Sequence, residues 1–313
     1  MPAGGLKIAF LFPGQGSQEV GMGRACHDAS AKARQVFELA REVIGSDLRP
    51  LCFEGPLEEL TKTANLQPCL TTVSLAILAV LEEAGVRPQA AAGHSLGEYP
   101  ALACAGVLEP GRAIALTALR GDLMEREANQ NPGAMAAIIG LELEQVRQVV
   151  ERVPGVCQVA NHNSQTQVVI TGQQASVEEA GRRFKEMKAK VVPLKVSGAW
   201  HSRLMSRAAN DFAVRLAQTD WRDPRIPVYL NVTAKPSAKG SQIGEIMASQ
   251  LVSPVRWHEI MLNLLADGFN TFVEVGPKGI LAGLMRRQAA GRDDVRVFEA
   301  DSPDKIEALI KEL

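Results

Sequence analysis

One short segment of the chain has the residue types and spacing of a serine nucleophile. Gly93-His94-Ser95-Leu96-Gly97 matches the G-x-S-x-G pattern, in which a serine lies on a sharp turn between a strand and a helix. The glycines are needed because side chains in so tight a turn would collide with neighbouring backbone. The first N–H groups of the following helix can stabilise a developing oxyanion. The pattern predicts acyl-transfer chemistry at Ser95, with a glycine-rich turn carrying an idle serine as the alternative.

A serine nucleophile needs a base, and five histidines are available. His94 adjoins Ser95 in the turn, where neighbouring side chains are expected to point apart, so we interpret it as structural. His201 follows the small residues Ser197, Gly198 and Ala199, where a candidate inserted unit ends. Binding sites tend to form in such clefts. We therefore select His201 as the candidate base, with a non-catalytic histidine as the alternative.

A third, acidic member of a catalytic triad is harder to assign. Between Ser95 and His201 the only aspartate is Asp122, on the same helix as Arg120. Two residues correspond to about 200° of rotation around a helix, so these two side chains face opposite ways. We expect a Ser–His dyad oriented by a neutral group, with a glutamate as the open alternative.

Arg120 is unusual because it lies on the apolar face of its helix, beside Leu116, Leu123 and Met124. A buried guanidinium needs a partner, since an unpaired charge in the interior is costly. One interpretation is a structural salt bridge with an internal carboxylate. The other is a fork that binds a substrate carboxylate through two parallel hydrogen bonds. The second interpretation would select a dicarboxylic acyl group.

The elements that must position these residues alternate between strands and helices. We expect strands over residues 6–12, 89–93, 227–231 and 271–275, and helices over residues 31–44, 68–84, 96–105, 110–127 and 280–287. This alternation favours a mostly parallel sheet with helices on both faces.

The order of elements changes between residue 130 and residue 199. Strands are expected over 134–139, 156–160, 167–171 and 190–196, with helices over 142–152 and 176–188. This β-α-β-β-α-β order is the ferredoxin-like pattern. We therefore predict an α/β fold with two parts. Residues 1–129 and 200–313 form a large α/β-hydrolase-like domain, and residues 130–199 form an inserted ferredoxin-like small domain.

Composition narrows the functional classes. The 313 residues are 46% hydrophobic and 22% charged with a net charge of -1, which gives no reason to expect nucleic acid or an anionic membrane as partner. Five cysteines without a C-x-x-C pair suggest neither disulfides nor a zinc site. The uncharged run over residues 63–81 contains Asn65, Gln67 and Pro68, so we expect a buried helix. The first residues show no signal-peptide pattern, and we predict a cytoplasmic protein.

Five segments together resemble one known family. Phe12-Pro13-Gly14-Gln15-Gly16-Ser17-Gln18, the segment from Gly93 to Tyr99, Arg120, Gly198-Ala199-Trp200-His201-Ser202 and Glu274-Val275-Gly276-Pro277 occur in this order. The same order is seen in malonyl-CoA:acyl carrier protein transacylases. The resemblance covers essentially the whole chain and is far more specific than the serine motif alone.

The resemblance implies a ping-pong transfer with Ser95 as nucleophile and His201 as base. It implies an oxyanion hole from the backbone N–H groups of Gln15 and Leu96, and binding of the malonyl carboxylate by Arg120. It further implies that the main-chain carbonyl of Gln250 holds the His201 ring, which would account for the missing aspartate.

Two pocket residues also follow from the resemblance. Asn161 resembles a cleft residue that contacts the acyl group. Trp200 stands where malonyl-specific relatives commonly have phenylalanine, and a larger ring should still exclude a branched acyl carbon. The pocket size is therefore an open point.

The implied substrates are malonyl-CoA and phosphopantetheinylated acyl carrier protein, with no bound cofactor and no metal. We expect a monomer that serves fatty acid or polyketide synthesis. A basic stretch (Arg182, Arg183, Lys185, Lys188 and Lys190) either helps to dock the acidic carrier protein or is a solvated helix face. Two other functions stay open: a hydrolase that clears acyl groups, and a non-catalytic subunit that binds carrier proteins.

Overall fold

The computed structural model describes residues 5–313, which contain ten β-strands and fourteen α-helices. The strands are β1 Ile8–Phe12, β2 Ala90–Gly93, β3 Ala134–Ile139, β4 Cys157–Ser164, β5 Gln167–Gly172, β6 Lys190–Pro193, β7 Val228–Tyr229, β8 Pro236–Ser237, β9 Thr271–Glu274 and β10 Arg296–Glu299. Residues 1–4 lie outside the described part. They include the first residues of the N-terminal segment for which we predict no signal peptide.

The helices surround two separate sheets. They are α1 Arg24–Ala29, α2 Ala31–Ile44, α3 Arg49–Glu54, α4 Leu57–Thr61, α5 Thr63–Glu83, α6 Glu98–Cys104, α7 Pro110–Gln130, α8 Leu143–Val150, α9 Gln174–Glu186, α10 Ser206–Ala217, α11 Gly240–Ala248, α12 Trp257–Ala266, α13 Ile280–Gln288 and α14 Pro303–Glu312. Short 3₁₀ turns occupy Ser95–Gly97, Arg203–Met205, Gln250–Val252 and Pro277–Gly279.

The large sheet has the strand order β10-β9-β1-β2-β7-β8, and only β8 runs antiparallel to its neighbour. The central strand β1 (IAFLF) is buried throughout, as a run of apolar residues flanked by parallel strands on both sides should be. Phe12 pairs with Gly93, and Leu11 pairs with Glu274. Three loops therefore leave the same edge of the sheet side by side, which is where parallel sheets build their sites.

Alternate residues of β1 enter different cores. Phe10 and Phe12 pack into a large cluster with α2, α5, α6 and α7, whereas Ala9 and Leu11 face α12 and α13. Helix α5 is long and apolar enough to cross a membrane, yet 78% of its most apolar window is buried inside the protein. It is the central helix of the large core, as the polar residues in its sequence predicted.

The small sheet has the antiparallel order β4-β5-β3-β6, the ferredoxin-like arrangement expected from the element order. Ile138 and Ile170 face α8 and α9 and form a core of their own. Met135, Ala137 and Val169 face the opposite way, because side chains alternate along a strand, and they cover a cavity at the edge of the large sheet. The division at residues 129/130 and 199/200 stays a prediction.

Several boundaries differ from the sequence-based expectation. Helix α5 begins at Thr63, five residues before the expected start at Pro68, so a proline lies inside the helix. Strand β4 continues from the expected end at residue 160 to Ser164, because these residues pair with β5 as far as Ser164 and Gln167. In addition, Asn161 bridges to Val255, and His162 N–H donates to the Val255 carbonyl at 2.8 Å. Asn161 and His162 thus join the small sheet to the large domain.

Candidate active site

Ser95 lies at the sharp turn between β2 and α6, with a positive φ of 53°. The flanking glycines are required by space: a Cβ on Gly93 would lie 1.9 Å from the Gly97 carbonyl oxygen, and one on Gly97 would lie 2.0 Å from that of Phe12. Asn231, after β7, supports the turn, since its Oδ1 accepts from Ser95 N–H at 2.6 Å and its Nδ2 donates to the Gly93 carbonyl at 2.6 Å. Local strain is thus held by several fixed contacts.

The structure brings His201 to Ser95. Ser95 Oγ and His201 Nε2 are 2.7 Å apart. On the other side of the ring, Nδ1 lies 3.1 Å from the Gln250 carbonyl oxygen and 3.0 Å from that of Ser253. Carbonyl oxygens only accept, so Nδ1 carries the proton and Nε2 is free to accept from the Ser95 hydroxyl. A neutral group therefore orients the ring, and Ser253 is a second acceptor that the sequence did not reveal.

Burial keeps His201 in the basic form. Only 4% of the residue is exposed, and burial together with the positive charge of Arg120 lowers its pKa to about 3. Both effects disfavour the protonated ring. The imidazole is therefore neutral, and able to accept a proton, across the physiological pH range.

Arg120 projects from the buried face of α7 and reaches Ser95. Its Nη2 lies 3.2 Å from Ser95 Oγ. Its Nε and Nη2 donate to Gln250 Oε1 at 3.2 and 3.0 Å. Its Nη1 donates to Gln67 Oε1 at 2.9 Å. Among residues 5–313, none of these partners is a carboxylate, so the expected alternative of a direct internal salt bridge is not what the site contains. A fully buried cation held by amides can accept an anionic ligand.

A cavity of about 250 Å³ opens onto Ser95, and every site residue predicted from the sequence except Gln250 lines it. Gln15 reaches the cavity because the loop at Gly14 packs tightly on the turn of residues 93–97 that carries Ser95 (the elbow). A Cβ on Gly14 would lie 2.3 Å from the His94 carbonyl oxygen. Leu96 lies in the turn that Ser95 begins. Gln250 lies behind the cavity wall and is 1% exposed.

The small sheet supplies the opposite wall. Asn161 and Trp200 line the cavity, and the Asn161 side chain is 3.4 Å from His94 Nε2. His94 lines the cavity as well, which we did not expect, and its Nε2 is 2.9 Å from Asn163 Oδ1. Apolar walls with a few fixed polar groups suit a small acyl chain with one charged end.

Sequence reasoning missed several residues that support the site. Gln67 holds Arg120, Asn231 holds the elbow, and Glu98 contacts both Asn231 and Gln250. Glu98 belonged to a quoted motif, so its position was a signal that could have been used. Within residues 5–313, no group of three or more His, Cys, Asp or Glu side chains is arranged to hold a metal ion.

Known proteins resemble this chain over nearly its whole length. The family described as acyl transferase domain matches residues 9–300. A malonyl CoA-acyl carrier protein transacylase of Bacillus subtilis (strain 168) is 41% identical over 311 residues, covering 98% of this chain and 97% of that protein. The protein of the same name from Escherichia coli (strain K12) is 40% identical over 285 residues, covering 90% of this chain and 92% of that protein.

Solved structures show the same similarity over the whole fold. An acyl carrier protein S-malonyltransferase from Vibrio cholerae is 40% identical with a TM-score of 0.92, covering 97% of this chain and 99% of that one. A malonyl-transacylase solved in complex with its type II PKS acyl-carrier protein is 37% identical with a TM-score of 0.93, covering 98% of this chain and 100% of that one. The chain therefore belongs to the malonyl-CoA:acyl carrier protein transacylase family of acyl transferase domains.

Proposed function

We propose that the protein transfers the malonyl group from malonyl-CoA to the phosphopantetheine thiol of an acyl carrier protein, through a malonyl ester on Ser95. One observation carries the proposal: Ser95 Oγ lies within hydrogen-bond distance of both a neutral histidine and a buried guanidinium. The first group activates the hydroxyl as a nucleophile. The second is placed to recognise an acid at the end of the acyl group.

In the first half-reaction, His201 Nε2 accepts the Ser95 proton while Oγ attacks the thioester carbonyl carbon. We assign the oxyanion of the tetrahedral intermediate to the backbone N–H groups of Gln15 and Leu96. When the intermediate collapses, the C–S bond breaks and His201 gives its proton to the departing thiolate of coenzyme A. The carbonyls of Gln250 and Ser253 keep the ring in the required tautomer throughout.

In the second half-reaction, the carrier protein's thiol enters in place of coenzyme A. His201 accepts the thiol proton, the thiolate attacks the ester carbonyl, and Ser95 Oγ leaves and takes the proton back. Because entering and leaving groups are both pantetheine thiols, the same cavity and the same base serve both directions.

Arg120 is proposed to bind the malonyl carboxylate. Two carbons separate the carboxylate from Ser95 Oγ in the acyl-enzyme, so a guanidinium that touches Oγ at 3.2 Å is at a suitable range. Asn161 and Trp200 are proposed to line the acyl pocket, with Trp200 limiting branches at the acyl carbon.

The carrier protein is the proposed macromolecular partner, supported by the structural relative solved in complex with one. Of the basic stretch that begins in α9, Arg182 and Arg183 pair with Glu179, whereas Lys185 in the helix and Lys188 beyond its end are exposed. Those two lysines are the better candidates for docking. A cytoplasmic location, a monomeric state and the absence of nucleic-acid or membrane partners remain predictions from the sequence.

Intact-mass analysis after brief mixing with malonyl-CoA, and separately with acetyl-CoA, tests the proposal. We expect malonyl-CoA to give an adduct on the enzyme and acetyl-CoA to give a weak one or none. The Ser95→Ala variant should form no malonyl adduct. Release of free acid without transfer to carrier protein would favour the hydrolase. No adduct and no hydrolysis from either thioester would favour the non-catalytic subunit.

A further inference from the structure

A buried carboxylate lies directly behind Ser95 and has no part in the reaction described above. Glu98, the first residue of α6, is fully buried, and each of its oxygens accepts a hydrogen bond. Oε1 accepts from Asn231 N–H at 2.7 Å, and Oε2 accepts from the side-chain Nε2 of Gln250. An acidic group in the interior is costly unless it is hydrogen-bonded, so its place beside the site calls for a physical role.

The contacts of Gln250 fix the direction in which its side-chain amide faces. Nε2 donates to Glu98 Oε2 and, at 2.9 Å, to the Ser95 carbonyl. Oε1 accepts from Nε and Nη2 of Arg120 at 3.2 and 3.0 Å. The reversed amide would point a donor at the guanidinium and an acceptor at the carboxylate. Glu98 and the Ser95 carbonyl together therefore make Gln250 present its oxygen to Arg120.

This arrangement places one amide between two opposite charges. Arg120 is 1% exposed, and its side-chain partners within residues 5–313 are Gln67, Gln250 and Ser95. A carboxylate bound directly to the guanidinium would occupy the donors that a substrate carboxylate needs. With Gln250 between them, Glu98 supplies the counter-charge and the guanidinium stays available.

We propose that Glu98 is a positioning residue for acyl-group selection: acting through the Gln250 side chain, it holds Arg120 against Ser95 and leaves the guanidinium free to bind a carboxylate. The inference rests on the proposed malonyl transfer. It separates two tasks of Gln250, whose main-chain oxygen orients His201 and whose side chain orients Arg120.

Glu98→Gln is the primary test because it preserves size and keeps an oxygen for Asn231 N–H. Its new amide meets Nε2 of Gln250 donor to donor, which displaces the Gln250 side chain and weakens the acceptor that it offers to Arg120. We expect the rate of malonyl adduct formation on Ser95 to fall about 10- to 100-fold, the loss of one charge-assisted hydrogen bond. Acetyl adduct formation should change less than about threefold, because the Ser95–His201 pair keeps its own contacts.

A double-mutant cycle tests whether Glu98 acts through Gln250. Gln250→Leu removes the side-chain amide and retains the main-chain carbonyl that holds His201. Adding Glu98→Gln in that background should leave the malonyl-to-acetyl rate ratio unchanged, since the coupled partner is already gone. Independent, multiplying losses of malonyl rate would overturn the proposed route.

The unmodified enzyme offers a test that does not depend on any variant folding. Burial raises the pKa of Glu98 to about 7, opposed by the hydrogen bonds from Gln250 and Asn231 and by the charge of Arg120. The charged and titratable groups that face it are Arg120 from α7 and Tyr99 from its own helix. Protonated Glu98 is a weaker hydrogen-bond acceptor for Gln250. The ratio of malonyl to acetyl loading rates should therefore decrease as the pH is lowered from about 8 to about 6.

The outcomes separate this inference from the proposed function. If the unmodified enzyme forms no malonyl adduct, the function itself is wrong. If it does, a malonyl-to-acetyl ratio that is independent of pH, or that Glu98→Gln leaves unchanged, overturns the role of Glu98. Equal losses of malonyl and acetyl loading in Glu98→Gln would assign Glu98 to the fold alone and would also overturn it.

Discussion

Replacing Arg120 with lysine separates the charge of this residue from its shape. The guanidinium already donates to Gln67 and Gln250, and Nη2 also reaches Ser95 Oγ. An ammonium keeps the positive charge, but it cannot hold both amide oxygens and also present two parallel donors to a carboxylate. Arg120→Lys should therefore lower malonyl transfer and leave acetyl loading almost unchanged.

The expected magnitude follows from the hydrogen bonds lost. A two-point contact with the malonyl carboxylate becomes at best a one-point contact, and a hydrogen bond to a charged group contributes about 1.5–3 kcal/mol. The value of kcat/KM for malonyl-CoA should therefore fall about 10- to 150-fold. Acetyl-CoA has no carboxylate, so its loading rate should change less than about threefold.

Stopped reactions with each thioester, followed by intact-mass analysis of Ser95 acylation, give both rates. Arg126→Lys is a matched control, since it makes the same change on the same helix at a partly exposed arginine that pairs with Asp211. It should leave both rates unchanged. Equal losses for malonyl and acetyl in Arg120→Lys, or no loss of malonyl transfer, would refute the assignment of Arg120 as the carboxylate-binding residue.

Two further predictions concern the base and the elbow. Burial and the charge of Arg120 lower the pKa of His201 to about 3, so the base stays neutral at acidic pH. The pH–rate profile of acetyl loading should therefore show no loss of rate with a midpoint near 6.5. Such a loss would contradict the argument that burial keeps His201 neutral. Gly97→Ala would put a Cβ 2.0 Å from the Phe12 carbonyl oxygen and should abolish acyl loading or folding. The control Gly181→Ala has its nearest contact at 3.5 Å and should leave acyl loading and the melting temperature nearly unchanged. Normal loading by the Gly97→Ala enzyme would show that the turn can move.

The elements that the sequence predicted well are those with strong local signals. The apolar run of β1 and the elbow between β2 and α6 were both expected, and the two-sheet architecture is observed. No helix is predicted at α10, α11 or α14, although the apolar residues of α10 and α14 lie on one helix face as regularly as those of the predicted α2. Nor is a strand predicted at β10, whose residues are half-buried at the edge of the large sheet and carry a weak pattern.

The extent of β4 shows why some boundaries could not be predicted. The polar segment Asn161-His162-Asn163 has the composition of a loop, yet it continues a strand because it pairs with β5, and Val255 from a distant part of the chain bridges to Asn161 as well. Local propensity cannot register a partner about a hundred residues away. The same limitation hid Asn163, which meets His94 across the cavity.

The sequence by itself determined the kind of chemistry: a serine on a glycine-bounded turn, an arginine on an apolar helix face and the ordered motifs of one enzyme family. Only the tertiary structure decided how the charges are arranged. Gln250 lies 130 positions from Arg120 and 155 from Ser95, and its side chain bridges Arg120 and Glu98. Packing brings these groups together, and the need to satisfy the buried donors and acceptors of Gln250, Glu98 and Arg120 then leaves one arrangement.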